Sequence, residues 1–207
     1  MDMRWISTLA LGLALAATPV VADPALEALG PCLQVHESVE QYAQAFEEMG
    51  WEPANQQDSA RAVQAVAELE VATRNLELAF EDSAAVSAFV EDATRFTERL
   101  TALPVSVLTK GDVLLVISSF LVANRGEVSC HLVGDTLDAV ADTVPNEPGA
   151  IGSSTLAFSY AEIEPQAESA FTDLRVNAVR LFIPPEAKHL AAAADGVMLR
   201  GSWIIEE

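Results

Sequence analysis

The stretch "GDVLLVISSFLVANRGEVSCHLVGD", residues 111 to 135, decides how this chain folds. Its first half, Val113 to Ala123, is apolar on both alternating faces, so both faces of the strand it predicts must be covered. The run is strand-length and about half of what crosses a bilayer. "NRG" at 124 to 126 is a turn signal. Beyond it, "EVSCHLV" alternates, with Val128, Cys130 and Leu132 on one face and Glu127, Ser129 and His131 on the other. A central β-hairpin with its thiol on the apolar side is the expectation.

The elements before the hairpin are helical. Ser38 with Gln41 three residues on forms a capping box, and Val39, Tyr42, Phe46 and Met49 repeat at helical spacing. Gly50 sits at the position after the helix end, and Trp51 folds back on it. A second helix starts at Asp58, with Val63, Val66, Leu69, Thr73, Leu76 and Phe80 inward and Glu70–Arg74 as an i,i+4 pair. A third is capped by Ser83, turns Val86, Phe89, Val90, Ala93, Phe96 and Leu100 inward, and stops before Pro104.

After the hairpin come a short helix capped by Asp135, a loop at 145–154, and strands over 155–163 and about 171–183. A second short helix is predicted over 184–196. Last is a strand with Val197, Leu199, Trp203 and Ile205 on one face, Trp203 in the core. Helices followed by hairpin strands predict an α+β fold: N-terminal helices packed on a mostly antiparallel sheet with two further short helices. The order ββα, ββα, β suggests an internal duplication, although the two halves share no sequence similarity.

Residues 1–22 have Arg4, an apolar run from Ile6 to Ala17 and the small-residue site "VVA", the pattern of a secretory signal peptide. Residues 23–207 then form a single domain, periplasmic or secreted. Removing the leader leaves two cysteines, Cys32 and Cys130, and an even count in an oxidising compartment predicts that they pair. Catalysis by Cys130 with His131 is excluded on two grounds: neighbours on a strand face opposite ways, and a thiol held in a disulfide is no nucleophile. A zinc site of Cys32, His36, Cys130 and His131 fails for the same facing reason and because its ligands are spaced too widely. Asp135, Asp138 and Asp142 share one side of their short helix, where a solvated face is expected. His189 is expected at a helix surface. No metal, cofactor or catalytic residue is called for, and no P-loop, G-x-S-x-G or H-E-x-x-H motif occurs.

The formal net charge is −20, with 31 acidic residues against 11 basic ones. Sixteen acidic and four basic residues lie between Asp23 and Leu103, and fourteen against six follow, so the charge is spread rather than carried by a tail. Such a field repels nucleic acid and anionic lipid. Arg125, Arg175, Arg180, Lys188 and Arg200 form no basic footprint. Cys32, the "GW" of Gly50 and Trp51, the "GD" of Gly111 and Asp112, and Cys130 together resemble a family of exported bacterial proteins of unknown function, over roughly the first two-thirds of the chain. That resemblance implies export and a disulfide-linked helix and hairpin, and no activity. The functional expectation is an acidic binding or accessory protein, such as an inhibitor or partner of a cationic envelope protein. The alternatives are a carboxylate-dependent hydrolase, which needs a carboxyl with a raised pKa in a cleft, and a small-ligand carrier, which needs an apolar pocket between sheet and helices.

Overall fold

The computed structural model describes residues 24–74, 83–142, 144, 157–163, 170–182 and 195–205. The signal peptide, the loop at 145–154 and His189 fall outside these residues, as does the helix predicted over 184–196 up to residue 194. A short α1 (Pro24–Ala28) and a 3₁₀ turn (Gly30–Leu33) precede α2 (Val39–Glu47), α3 (Gln56–Arg74) and α4 (Ser83–Thr101). The two-residue β1 (Glu52–Pro53) lies between α2 and α3. Strands β2 (Val105–Lys110), β3 (Val113–Val122) and β4 (Arg125–Gly134) follow, then α5 (Asp138–Ala141), β5 (Ala157–Ile163), β6 (Asp173–Phe182) and β7 (Asp195–Ile204). The fold is α+β, as expected. All pairings are antiparallel, and the sheet order is β1-β2-β3-β4-β7-β6-β5. Two meanders, β2–β3–β4 and β5–β6–β7, meet along β4 and β7.

Helices cover both faces of the sheet, which is why β3 is apolar on both sides. On one face, Leu115, Ile117, Val128, Cys130, Leu132, Val197 and Leu199 pack under α2, the 3₁₀ turn and α5, together with Tyr42, Phe46 and Trp51. On the other, Leu114, Val116, Val133, Val179 and Met198 pack under α3 and α4. Cys32 and Cys130 form a disulfide across the first core, Cα atoms 6.4 Å apart and both side chains fully buried. It joins the 3₁₀ turn to the middle of β4.

Local chemistry explains the boundaries. The Ser38 hydroxyl accepts the Gln41 N–H at 3.4 Å, while Gln41 Oε1 accepts the Glu37 N–H, so the capping box is closed one residue earlier than expected. Gly50, at φ 85°, ends α2, and Trp51 packs edge-on against Phe46. Trp203 is buried, as its place on β7 predicts.

Several expectations are corrected. Met49 is 42 % exposed because the helix ends at Glu47 and helical spacing no longer applies to it. The hairpin turn is Ala123–Asn124, with Arg125 already in β4 and paired to Val122. Asp135 does not cap α5: the N-cap is Leu137, whose N–H donates to Asp195 Oδ2 at 3.0 Å. Strand β7 starts at Asp195, the penultimate residue of the stretch predicted as helix, and Ile205 lies beyond its end, exposed. Strand β2, not expected from the sequence, extends the sheet outside β3. Among the described residues no helix is long and apolar enough to cross a membrane.

Candidate functional site

One cluster of buried polar groups lies on the face beneath α3. Glu70, expected to pair with Arg74 four residues on, is 2 % exposed. Its Oε1 accepts a hydrogen bond from His131 Nε2 at 3.2 Å and another from the Arg200 guanidinium. Burial pushes the Glu70 carboxyl up, but hydrogen bonds and charge from His131 and Arg200 outweigh it and hold the group down at about 2. The carboxylate is therefore ionised and can only accept, so His131 Nε2 carries the hydrogen between them. This cluster ties α3 to β4 and β7. Its chemistry is opposite to that of a general acid, which needs a raised carboxyl, and His131 is only 3 % exposed.

The residues weighed for catalysis and metal binding are thus separated. Cys130 faces the first core in its disulfide and His131 faces the second, under α3. The polar side of β4 is as buried as the apolar side at this point, a consequence of helices on both sheet faces. The His36 ring packs edge-on against Tyr42, centroids 4.5 Å apart, and its backbone N–H donates to the Tyr42 hydroxyl. Among the described residues no three His, Cys, Asp or Glu side chains are grouped to hold a metal. Asp135, Asp138 and Asp142 are exposed, and Asp135 pairs with Arg61 at 3.0 Å. The sheet arginines each meet a carboxylate: Arg125 with Glu127, Arg175 with Asp173, Arg180 with Asp195 and Arg200 with Glu70.

A half-open cleft of about 620 Å³ runs between α3 and α4. The buried Val63, Phe89 and Ala93 form its apolar floor, and the more exposed Val90 also lines it. Val90, expected inward, is instead 43 % exposed, whereas its neighbour Phe89 is buried. Thr94, Thr97 and Thr101 line the α4 side, and Ser59, Ala60 and Gln64 the α3 side. The Thr94 hydroxyl donates to Val90 O at 2.8 Å and that of Thr101 to Thr97 O at 3.0 Å. Among the described residues, the titratable side chains lining the cleft are Glu68 and Glu98. Glu68 is buried and accepts from Gln64 Nε2 at 2.8 Å, while Glu98 is exposed.

Spacing in the sequence did carry a signal for the buried cluster. Glu70 stands seven residues after Val63 and four after Val66, on the apolar stripe itself. The cleft had no such signal, since it arises from two helices that meet only in the folded chain. No protein family, no curated protein and no solved structure matches this chain.

Proposed function

We propose that the chain is an exported acidic binding or accessory protein whose α3–α4 cleft receives a cationic partner of the cell envelope, such as a cell-wall hydrolase that it inhibits or assists. One observation carries this reading. The cleft has an apolar floor and lining carboxylates of Glu68 and Glu98, with no basic side chain among its described lining residues, in a chain of formal net charge −20. Complementary charge steers encounter and selects partners, and an apolar floor supplies the contact energy. The buried disulfide supports an oxidising compartment, and with it the reading of residues 1–22 as a leader.

The test uses the processed protein, immobilised and exposed to envelope extract. A partner retained at low salt, released at high salt and not retained by the Glu98→Lys variant is the expected result. A wild-type column that retains no salt-sensitive cationic protein removes the proposal. N-terminal sequencing of the exported protein is expected to begin at Asp23.

The cleft volume also lies in the range of small-molecule sites, roughly 300–1,000 Å³. That favours, as a second reading, a small-ligand carrier, although the cleft lies between two helices and not between helices and sheet. Native mass spectrometry separates the readings: a retained small molecule on the wild-type protein supports the carrier.

A further inference from the structure

Resting on the reading of a cationic partner, we infer that the occupant of the cleft is one amphipathic, basic α-helix, laid between α3 and α4 as a third helix. Hydrogen bonding is the first argument. The cleft is walled by two helices, whose backbone groups are used internally, and the Thr94 and Thr101 hydroxyls are given to carbonyls of their own helix. An extended segment entering here brings unpaired N–H and C=O groups and finds no strand edge to meet them. A helix satisfies its own backbone and needs only side-chain contacts.

Dimensions agree. Ser59 to Glu68 on α3 and Phe89 to Thr101 on α4 flank the cleft. At 1.5 Å per residue these stretches are about 15 and 20 Å long, roughly three turns of a bound helix. Small side chains at Ser59, Ala60, Ala93 and Thr94 permit the close approach of helix axes, about 8–10 Å, that ridges-into-grooves packing needs. Val63, Phe89 and the exposed Val90 offer an apolar seam for residues at i, i+3/i+4 and i+7 of the incoming helix.

Charge sets the sign of the partner. Glu98 stands exposed at the rim and Glu68 lies deeper in the wall. Of the bases on these helices, Arg61 pairs with Asp135 and Arg95 with Glu91 and Asp92, while Arg99 is exposed beside Glu98 on α4. A second copy of the chain brings another −20 and is repelled, as is anionic lipid.

The probe is a fluorescent Leu/Lys amphipathic peptide of about five turns, ~18 residues. A peptide of the same composition broken by two central prolines is the comparison, and binding to the processed protein is followed by anisotropy at low and high salt. The helical probe is expected to bind in a salt-sensitive manner, and the proline-broken probe about tenfold or more weaker. Thr94→Trp and Glu98→Lys change exposed cleft residues, so the fold is kept, as circular dichroism will verify. Each is expected to weaken the helical probe about tenfold or more. Equal binding of both probes, or indifference to both substitutions, overturns the helix inference while leaving a cationic partner in place. If neither cationic probe binds, the proposed function itself falls.

Discussion

Glu70 carries the clearest energetic consequence of a single residue. Desolvation acts upward on its carboxyl, yet His131 and Arg200 bring it to about 2, against an ordinary value of 4.5. A group whose pKa is lower in the folded than in the unfolded chain contributes stability above its unfolded value, and loses it as pH falls through the folded value. The window is therefore about pH 4.5 down to about pH 2, and the contribution above it is about 3 kcal/mol. Many other carboxyls titrate in the same range, so the difference between wild type and Glu70→Gln isolates this one. Near neutral pH the variant is expected to unfold at lower urea concentration, and the gap should close toward pH 2. A gap that does not change with pH would show that the charge of Glu70 adds nothing. Asp195 is a second buried carboxylate with three donors: Arg180 Nε and a second Arg180 nitrogen, both at 2.9 Å, and the Leu137 N–H at 3.0 Å. Asp195→Ala removes the carboxylate that binds a mostly buried Arg180 guanidinium and the Leu137 amide, and is expected to cost about 3–5 kcal/mol in denaturant unfolding. Asp195→Asn keeps an acceptor for Leu137 and should cost less.

At the scale of elements, β4 and β7 approach so closely that side chains of one fill positions left bare on the other. Gly126 of β4 is paired with Trp203 of β7, and a Cβ on Gly126 would overlap the Trp203 indole. Trp203 also packs against Phe171, whose ring lies over Gly201. Gly126→Ala is thus expected to displace the indole and cost about 1–3 kcal/mol, seen as a changed near-ultraviolet circular dichroism band and a lower denaturation midpoint. An unaltered Trp203 signal would mean the seam is looser than its geometry. The same elements show what local sequence can convey. Helix α2 was legible because Ser38, Gly50 and Trp51 mark both its ends with groups that act within a few residues. Strand β3 was legible because apolar residues on both its faces require cover on both. Helix α3 was legible only in part. One stripe was visible, whereas every residue from Ala65 to Ala72 is buried, and what covers the far side lies elsewhere in the chain. The burial of His131 was not legible for the same reason: alternation separates two faces but does not say that one of them is wet. The disulfide could be found by counting, since two cysteines allow one pairing. The cleft could not, because it depends on the placement of α3 against α4.

For the whole molecule, the chain's two layers of helix are secured to the sheet by different means. The α3–α4 layer is held by its apolar contacts and by Glu70. The N-terminal layer is held by apolar contacts and by Cys32–Cys130, whose partners are 98 residues apart in sequence. Closing a loop of that length restricts the unfolded chain by about 4.7 kcal/mol in the chain-entropy description, a large share of a domain's usual 5–15 kcal/mol. Self-repulsion of a −20 chain lowers the margin further. Cys130 is also opposite Leu199 on β7, beside the seam between the two meanders, so the crosslink anchors the N-terminal segment where the sheet halves join. Cys32→Ala combined with Cys130→Ala should therefore lower unfolding free energy by about 4–5 kcal/mol, with the sheet's circular dichroism kept at low temperature. Both sulfurs are fully buried, so the native wild-type protein should show no reactive thiol, and two should appear only after denaturation with reductant. Reductant alone should act at the rate of global unfolding, because the bond becomes accessible only when α2 and the 3₁₀ turn leave the sheet. Rapid reduction in native buffer, with no loss of structure, would show that the N-terminal layer opens independently, and the crosslink would then protect that layer rather than the whole fold.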